Sequence, residues 1–288
     1  AGVEEGSPRN ELGIQMKEDA VQRLADVWAC GEAAASLGFA IARSYDEAMP
    51  VDDEAHAILK AQGADGGRAM LKALKQPQTD AIAWIKELQK PEAERDAALV
   101  DRCSSDTLVK YVRYGAVNNI LCPACKLWDT GVGTSMMREA VSMMGGYGIT
   151  EDCPGWLFNK WVDGQLEATY EGPEVVQRRQ ISVCMNNPVF QEEIRLWIAE
   201  LKNKDVQKPG RGFAGLADGF EVWQWAYDYT KKTKDAEGKL LANGQRHGVV
   251  FGLADSLAWL CAAYCFVKDV EELETKGPEH PVVGAEIE

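Results

Sequence analysis

The sequence contains little histidine and only one Cys-x-x-Cys pair, and both shortages bear on metal binding. Its three histidines, at positions 56, 247 and 280, lie far apart and in unlike contexts. Cys122 and Cys125 form the single Cys-x-x-Cys, whereas a structural zinc or iron–sulfur site needs further ligands at suitable spacing. The sequence therefore predicts no bound metal.

Secretory features are also missing. The chain begins Ala-Gly-Val-Glu-Glu-Gly, without the basic flank and apolar core of a signal peptide. Eight cysteines spread over such a chain favour reduced thiols. We interpret them as core or near-core thiols, as for Cys261 and Cys265 on one face of an apolar helix, with a redox pair at Cys122 and Cys125 as the alternative. A cytoplasmic location is expected.

Basic clusters are few. The net charge is −14 and the pI is about 4.8, so the chain as a whole repels nucleic acids and anionic membrane surfaces. The longest apolar run, residues 249–267, is just long enough to span a bilayer but contains Asp255 and Ser256. We expect no nucleic-acid partner and no membrane span, and we predict that this run forms a helix buried in a bundle.

Alternating patterns of β-branched residues are almost absent, whereas apolar residues recur at three- and four-residue steps nearly everywhere. This periodicity predicts an all-α fold. The chain has 288 residues, of which 46% are hydrophobic, enough to bury a sizeable core.

The first long helix is predicted from Met16 to about Ala48, with Pro50 as its stop. Its apolar residues mark one stripe that we expect to pack inside the bundle. The stripe consists of Val21, Leu24, Trp28, Gly31, Ala35 and Phe39.

Further helices follow along the chain. Residues 51–103 hold several shorter helical stretches, one of them with Trp84, Ile85 and Leu88 on an apolar face. Ser104-Ser105-Asp106 is a helix cap, and another helix runs from about Cys122 to Met144.

The last hundred residues are predicted to be helical as well. A helix begins at Pro188 and buries Phe190, Ile194, Trp197, Ile198 and Leu201. Two more helices are expected around 217–232 and 247–275.

Two short motifs stand out between these helices. Gly145, Gly146, Tyr147 and Gly148 end a helix, and Tyr170-Glu171-Gly172 precedes a helix that Pro173 and Glu174 open. By itself, a glutamate at this position most often accompanies a helix N-terminus and is solvated. A Rossmann site is excluded because no strand precedes the glycines and their spacing does not fit.

Together the two motifs resemble the acyl-CoA dehydrogenase family, whose C-terminal helical domain carries a Gly-Gly-Tyr-Gly loop and then Tyr-Glu-Gly. Gln177-Arg178 is similar to the family too, and the likeness covers much of residues 14–187. We therefore divide the chain into a family-like helical bundle (1–187, with 51–103 as an insertion) and a C-terminal helical extension (188–288).

The resemblance implies a function and a set of site residues. Glu171 would be the catalytic base, Gly145, Gly146, Gly172 and Pro173 would contact FAD, and Tyr170 and Gly172 would contact substrate. A carboxylate base of this kind is expected in a mostly dry pocket, since desolvation raises its pKa towards working pH.

The reaction implied is α,β-dehydrogenation of an acyl-CoA thioester to the 2-enoyl-CoA, as in fatty acid metabolism. An electron-transferring flavoprotein would be the acceptor. A homo- or hetero-oligomer would include a chain with the family's N-terminal helical and middle β domains. The alternatives are a non-catalytic assembly subunit and an acyl-CoA oxidase.

Three positions depart from the family pattern. Pro173 stands where Thr or Ser usually contacts the flavin, Ser142 where Gln is frequent, and Val162 where an Arg usually precedes the Asp that is Asp163 here. These departures are compatible with the assembly-subunit alternative.

Overall fold

Helices make up nearly all of the described chain, which in this computed structural model comprises residues 17–64, 66–150 and 156–276. Within these ranges there is no β-strand, only an isolated bridge between Lys234 and Leu240. The all-α prediction is confirmed. The helices are α1 Glu18–Ala61, α2 Gly67–Ala73, α3 Lys75–Leu88, α4 Ala97–Ser105, α5 Thr107–Met143, α6 Trp156–Glu167, α7 Glu174–Cys184, α8 Pro188–Gln207, α9 Phe213–Lys232 and α10 His247–Lys276.

Helix α5 is the centre of the bundle. It packs against α1, α3, α4, α6, α7, α8 and α10. Its partner α1 runs antiparallel to it, since Arg23 near the start of α1 pairs with Glu139 near the end of α5, and Ser44 Oγ lies 2.6 Å from Asn118 Oδ1. Every element that carries a predicted site residue is therefore held against, or joined to, one long helix.

Side-chain caps set several helix starts. The Asp106 carboxylate accepts a hydrogen bond from Val109 N at 3.0 Å and begins α5, so the predicted cap is confirmed. Asn187 caps α8 in the same way through Val189 N, and Pro188 occupies the first turn, where its missing N–H costs nothing. Both helix starts are set by residues within one turn of the boundary, so the sequence alone is sufficient to predict them.

Pro50 does not stop the first helix, and that prediction is wrong. Helix α1 continues to Ala61, and beyond the proline it buries Ala55 and Leu59 almost completely. A proline inside a helix costs about 3 kcal/mol, while burying one leucine contributes about 1.5–3 kcal/mol. Pro50 is exposed, so water can satisfy the carbonyl of Asp46 that loses its donor.

Pro123 is likewise internal to a helix. A helix was expected to begin near Cys122, but α5 is continuous from Thr107. Pro123 and its neighbours Leu121 and Ala124 are buried. Packing on both sides of the proline therefore maintains the helix through it.

The apolar stripe predicted to pack inside the bundle faces away from it. Trp28 is 68% exposed and Phe39 66%, whereas Cys30, Ala33 and Leu37 on another face are buried. The periodicity grouped the stripe correctly on one face, but α1 has two apolar faces, and the one that carries small residues and Leu37 covers α5. The predicted orientation is wrong.

The C-terminal helices share the same core. Ile194 and Leu201 are fully buried, and the ring of Trp197 stacks on Tyr264 with centroids 4.6 Å apart. One cluster of buried side chains runs from α1 and α5 into α8, α9 and α10. The division at residue 187 stays a prediction, made across a continuous hydrophobic core.

Two described helices, α1 and α10, are long and apolar enough to cross a membrane by length and composition alone. Half of the most apolar window of α10 is buried, with Ala254 and Leu257 fully enclosed. There α10 packs against α1, α5, α7 and α9. Helix α10 is thus a core helix of the bundle.

Candidate functional site

The glycine motif forms a 3-10 turn, Gly145–Gly148, directly after α5. Gly145 has φ of +61°, a left-handed conformation that glycine adopts without strain. A Cβ at Gly148 would lie 2.5 Å from the carbonyl oxygen of Val141, whereas one at Gly146 would meet no atom within 4 Å. Gly148 is therefore required by packing, and Gly146 leaves an open backbone surface.

Glu171 lies in the turn between α6 and α7. Its φ is +42°, which makes it the one non-glycine residue with positive φ among the described residues, and Gly172 follows with φ of +97°. Such a conformation costs a non-glycine residue about 1–3 kcal/mol unless its surroundings impose it, and it is often found at functional sites. The Glu171 side chain is exposed, so the turn presents the carboxylate outwards.

Lys126 of α5 fixes the Glu171 turn through two hydrogen bonds to its backbone. Its ammonium donates to the carbonyl oxygen of Tyr170 at 2.8 Å and to that of Glu171 at 3.1 Å. It also lies 5.0 Å from the centroid of the Tyr170 ring. Lys126 was not predicted as a site residue, because no sequence pattern indicates a contact between two residues 44 positions apart.

Gln177, at the start of α7, also fixes the Glu171 turn. Gln177 Nε2 donates to the carbonyl oxygen of Gly172 at 2.7 Å and occupies the space that a Cβ at Gly172 would need. Arg178 pairs with Glu174 at 2.9 Å and with Asp255 of α10 at 2.8 Å. The Gln177-Arg178 pair thus fixes the Glu171 turn to α7 and α7 to α10.

Tyr170 is tied to its own turn. Its hydroxyl donates to Glu167 at 2.9 Å, and this hydrogen bond, together with the negative charge of Glu167, raises the pKa of Tyr170. The ring is 42% exposed. Tyr170 therefore offers an apolar edge beside Glu171 while its polar end stays bound to α6.

The described residues do not enclose Glu171 in a dry pocket, which corrects the expectation of desolvation within this chain. A cleft of about 500 Å³ lies among α5, α7 and α10 and is lined by residues that include Trp128, Glu174, Arg178 and Trp259, but not by Glu171. A larger cleft of about 540 Å³ lies among α1, α3, α5, α8 and α10, and no predicted site residue lines it. Any enclosure of the carboxylate must come from atoms outside the described chain.

The two motifs are far apart. Lys126, which contacts the Glu171 turn, precedes the end of α5 at Met143 by 17 positions, and at about 1.5 Å per residue this is roughly 26 Å along the helix axis. The glycine turn begins beyond that end. The predicted FAD residues Gly145 and Gly146 therefore do not share one small site with Glu171, Gly172 and Pro173.

The positions that depart from the family pattern are on the surface or at the helix start. Ser142 is exposed and Val162 is 51% exposed. Asp163 is exposed and lies 3.8 Å from Lys160. Pro173 was predicted as the first helical residue of α7, but it is the N-cap, and the helix begins at Glu174. None of these side chains gives the Glu171 turn a further polar contact.

Methionines and tryptophans at helical spacing, such as Met143, Met144 and Trp161, are usually core residues, with the lining of a ligand pocket as the alternative. Met144 is 49% exposed, and Met143 and Trp161 are only half-buried. Trp161 makes an edge contact with Phe158 at 6.0 Å between ring centroids. The core interpretation is wrong for Met144.

The cysteine chemistry is mostly that of buried thiols. Cys30, Cys103, Cys261 and Cys265 are buried and free, and burial raises the pKa of Cys30 to about 11. Cys122 is exposed, contrary to expectation, while Cys153 lies outside the described residues. In the part of the chain that the structure describes, no three His, Cys, Asp or Glu side chains are grouped to hold a metal ion.

One carboxylate in the bundle, that of Asp129, has a raised pKa. Cys125 Sγ donates to Asp129 Oδ2 at 3.1 Å, and Asp129 Oδ1 is buried with no partner. Burial raises the pKa of Asp129 to about 6, although the Cys125 hydrogen bond lowers it somewhat. Asp129 thus sits in α5 as a carboxylate that is costly to ionise.

Comparison with known proteins identifies the segment that holds both motifs. Residues 92–185 match the family model described as acyl-CoA dehydrogenase, C-terminal domain. No curated protein and no solved structure matches the chain. The match begins later than the resemblance suggested from sequence, leaving out α1, and ends with α7. The chain therefore carries, in residues 92–185, a domain of the acyl-CoA dehydrogenase C-terminal family.

Proposed function

We propose that this chain supplies the helical domain and the catalytic base, Glu171, of an FAD-dependent acyl-CoA dehydrogenase that converts a thioester to the 2-enoyl-CoA. The observation that carries the proposal is the Glu171 turn itself. Glu171 is exposed with φ of +42°, and Lys126 and Gln177 fix the carbonyls around it. A strained glutamate held by two helices, within the segment that the family model matches, has the features of a presented base.

In this mechanism the Glu171 carboxylate accepts a proton from the α-carbon of the thioester. The β-hydrogen leaves with its electron pair, and a carbon–carbon double bond forms between the two carbons. FAD, when bound, supplies the acceptor for that hydride. Gly172 lets the turn adopt its left-handed conformation, and Gln177 occupies the space beside it and fixes the backbone next to Glu171.

In this chain alone the Glu171 carboxylate is exposed to water, whereas an effective general base needs a desolvated environment. A docked chain with the family's N-terminal helical and middle β domains would cover the exposed carboxylate. A carboxylate from which water is excluded is a more effective general base. The unit of function proposed is accordingly an oligomer with such a chain.

The residues present fit one edge of an FAD site. Gly145 and Gly146 leave open backbone that a phosphate can approach, and Gly172 with Pro173 borders the Glu171 turn. Because Gly145 and Gly146 are separated from Gly172 and Pro173 by roughly 26 Å of α5, we infer that the two pairs would meet different regions of bound FAD in the oligomer. An electron-transferring flavoprotein is the proposed acceptor, and the cytoplasm the proposed location.

A second function is favoured by specific observations. Pro173, Ser142 and Val162 remove side chains that the family uses, and none of the described residues encloses Glu171. A subunit with these features can retain the helical fold as a non-catalytic assembly component. Flavin content and turnover distinguish the two functions.

The test uses the assembly purified from its natural source, in which the Glu171→Gln variant is compared with the unchanged chain. Bound flavin should be visible by absorbance, and a panel of saturated acyl-CoA thioesters should bleach it. Glu171→Gln should lower turnover by about 10²–10⁴-fold, the usual contribution of a general base. Glu54→Gln, another exposed glutamate, is the matched control and should leave turnover unchanged. Absence of flavin, or full turnover by Glu171→Gln, would favour the assembly subunit.

A further inference from the structure

A cleft of about 540 Å³ lies where α1, α3, α5, α8 and α10 meet. Its wall on α5 extends from Lys110 to Leu121, N-terminal to Lys126, which contacts the Glu171 turn. The volume is within the roughly 300–1,000 Å³ of small-molecule sites. Of these five helices only α5 belongs to the segment that the family model matches, so membership of the family assigns no ligand to this cleft.

Four polar pairs join the helices around the cleft in a closed ring. Each pair links two helices, α5 to α1, α1 to α10, α10 to α8 and α8 to α5, and all eight side chains line the cleft. The pairs are Tyr114–Glu47 at 3.3 Å, Arg43–Asp269 at 3.0 Å, Tyr264–Glu200 at 2.8 Å and Arg113–Glu193 at 2.9 and 2.8 Å. These contacts fix the walls before any ligand binds, as in most small-molecule sites.

The inner carboxylates of this ring already have donors. Both carboxylate oxygens of Glu193, which is buried, accept from Arg113. Glu200 is half-buried and accepts from the hydroxyl of Tyr264. A buried carboxylate that is paired in this way has its charge compensated, so the inside of the cleft is poorly suited to a cationic ligand.

Hydrogen-bond donors, in contrast, remain in excess inside the cleft. Lys110 is half-buried, and its ammonium forms no hydrogen bond or ion pair within the part of the chain that the structure describes. Arg113 uses its Nε and Nη2 for Glu193, so its Nη1 is left for another acceptor. Lys110 and Arg113 are three positions apart and lie on one face of α5. A partly buried ammonium without an acceptor is costly, and an anion bound beside it would offset that cost.

Aromatic side chains form much of the remaining wall. They are Trp84, Tyr114, Trp197 and Tyr264. The Arg113 guanidinium lies 4.6 Å from the centroid of the Trp84 ring, and the rings of Trp197 and Tyr264 stack on each other. Contacts between rings strengthen binding by about two- to tenfold beyond the effect of the buried area, so these walls favour a flat, aromatic ligand.

We propose that this cleft binds a small aromatic carboxylate. The carboxylate accepts hydrogen bonds from Lys110 and Arg113, and the ring of the ligand lies among the aromatic side chains, against Val117 and Leu121 of α5. Inorganic phosphate fits less well, because one negative charge balances Lys110, whereas a second would lie near Glu193 and an apolar wall.

Calorimetric titration of the purified chain with benzoate and with benzamide tests the anionic head. The two molecules have nearly the same shape, and only benzoate is charged. Benzoate should occupy one site per chain with a dissociation constant below about 1 mM, and benzamide should bind at least tenfold more weakly. Equal binding of the two, or no saturable binding of benzoate, would contradict the proposal.

A second titration, with cyclohexanecarboxylate, tests the aromatic walls. This acid has the same head and a saturated ring of similar size, so benzoate should bind about two- to tenfold more tightly. Equal or tighter binding of cyclohexanecarboxylate would show that the walls do not select an aromatic ring. Inorganic phosphate should fail to displace benzoate, and displacement at equal concentration would show that the cleft recognises anionic charge alone.

Variants of one lysine locate the site. Lys110→Met should weaken benzoate binding at least tenfold, and Lys110→Arg, which keeps the charge, should retain most of the affinity. Lys160→Met is the matched control, since Lys160 is an exposed lysine of α6, and it should bind benzoate like the unchanged chain. Urea denaturation checks that all three variants are folded.

Unchanged affinity in Lys110→Met would place the bound acid elsewhere and overturn the proposal. None of these measurements requires flavin or turnover. The proposed function and this ligand site can therefore fail or succeed independently of each other.

Discussion

At the scale of single residues, the backbone conformation of Glu171 depends on neighbouring side chains that have no proposed role in the reaction. Lys126 and Gln177 bind backbone carbonyls of the turn, and each comes from a helix anchored in the core. The left-handed φ of Glu171 is thereby imposed from outside the residue. Lys126 is in this sense a positioning residue.

Replacing Lys126 tests that role. Lys126→Met keeps the length of the side chain but removes both hydrogen bonds, so amide hydrogen exchange at residues 170–172 should speed up by about an order of magnitude. A hydrogen bond to a charged group contributes about 1.5–3 kcal/mol when shielded and less at a surface. Lys160→Met, which loses only the 3.8 Å contact to Asp163, is the matched control. Unaltered exchange in Lys126→Met would show that the ammonium does not hold the turn.

Asp129 gives a pH-dependent prediction. Its folded pKa is about 6, above the unfolded value of about 3.9, so the folded state disfavours the ionised form. The cost is absent below about pH 4, grows as pH rises to 6, and then stays near 3 kcal/mol by linkage. Asp129→Asn should therefore raise the free energy of unfolding by about 1–3 kcal/mol at pH 8 and by less than about 1 kcal/mol at pH 4.

Urea denaturation of both proteins at several pH values checks this. The stability difference between variant and wild type is the quantity to follow, because other groups titrate equally in both. A difference that grew towards low pH would contradict the burial of Asp129.

At the scale of elements, the glycine turn combines a structural glycine with an open one. Gly148→Ala places a methyl group 2.5 Å from a backbone oxygen that cannot move without disturbing the end of α5. We expect a loss of about 1–3 kcal/mol in the free energy of unfolding. Gly146→Ala meets no atom and should change stability by less than about 0.5 kcal/mol.

The same pair separates folding from cofactor binding. If the open backbone at Gly146 approaches FAD, Gly146→Ala should lower the flavin content of the assembly while its denaturation curve stays unchanged. Equal stability of the two alanine variants would show that Gly148 is not required by packing.

How far the elements could be read from sequence depends on the range of the forces involved. Asp106, Asn187 and the glycines act within a turn of their own position, so these helix boundaries were predictable. Pro50 and Pro123 were misjudged because the burial of Leu59 and of the residues around Pro123 outweighs the local cost of proline. The α1 stripe was grouped correctly and oriented wrongly, since periodicity says which residues share a face and not which face is covered.

The candidate site shows the same contrast between local motifs and long-range contacts. Tyr170, Glu171 and the glycines were predicted from their motif, and Gln177 was noted beside them. Lys126 was not, because its contact crosses 44 positions of chain. The exposure of Glu171 was also missed, since it depends on what lies outside the bundle.

At the scale of the whole molecule, α5 separates the glycine turn from the Glu171 turn by roughly 26 Å, and neither is enclosed by the described helices. The chain bears a net charge of −14 and exposes several large apolar side chains along α1. These features favour the proposal that the chain acts within an assembly. The central claim, however, concerns the single carboxylate of Glu171.

The most direct measurement is exchange of the α-hydrogen of a saturated acyl-CoA with deuterium oxide in the native assembly, followed by mass spectrometry. It reports proton removal at the atom where Glu171 is proposed to act, independently of the electron acceptor. The account predicts rapid exchange in the unchanged assembly, a loss of at least about 10²-fold in Glu171→Gln, and no loss in Glu54→Gln. Exchange at the full rate in Glu171→Gln would contradict the assignment of Glu171 as the base.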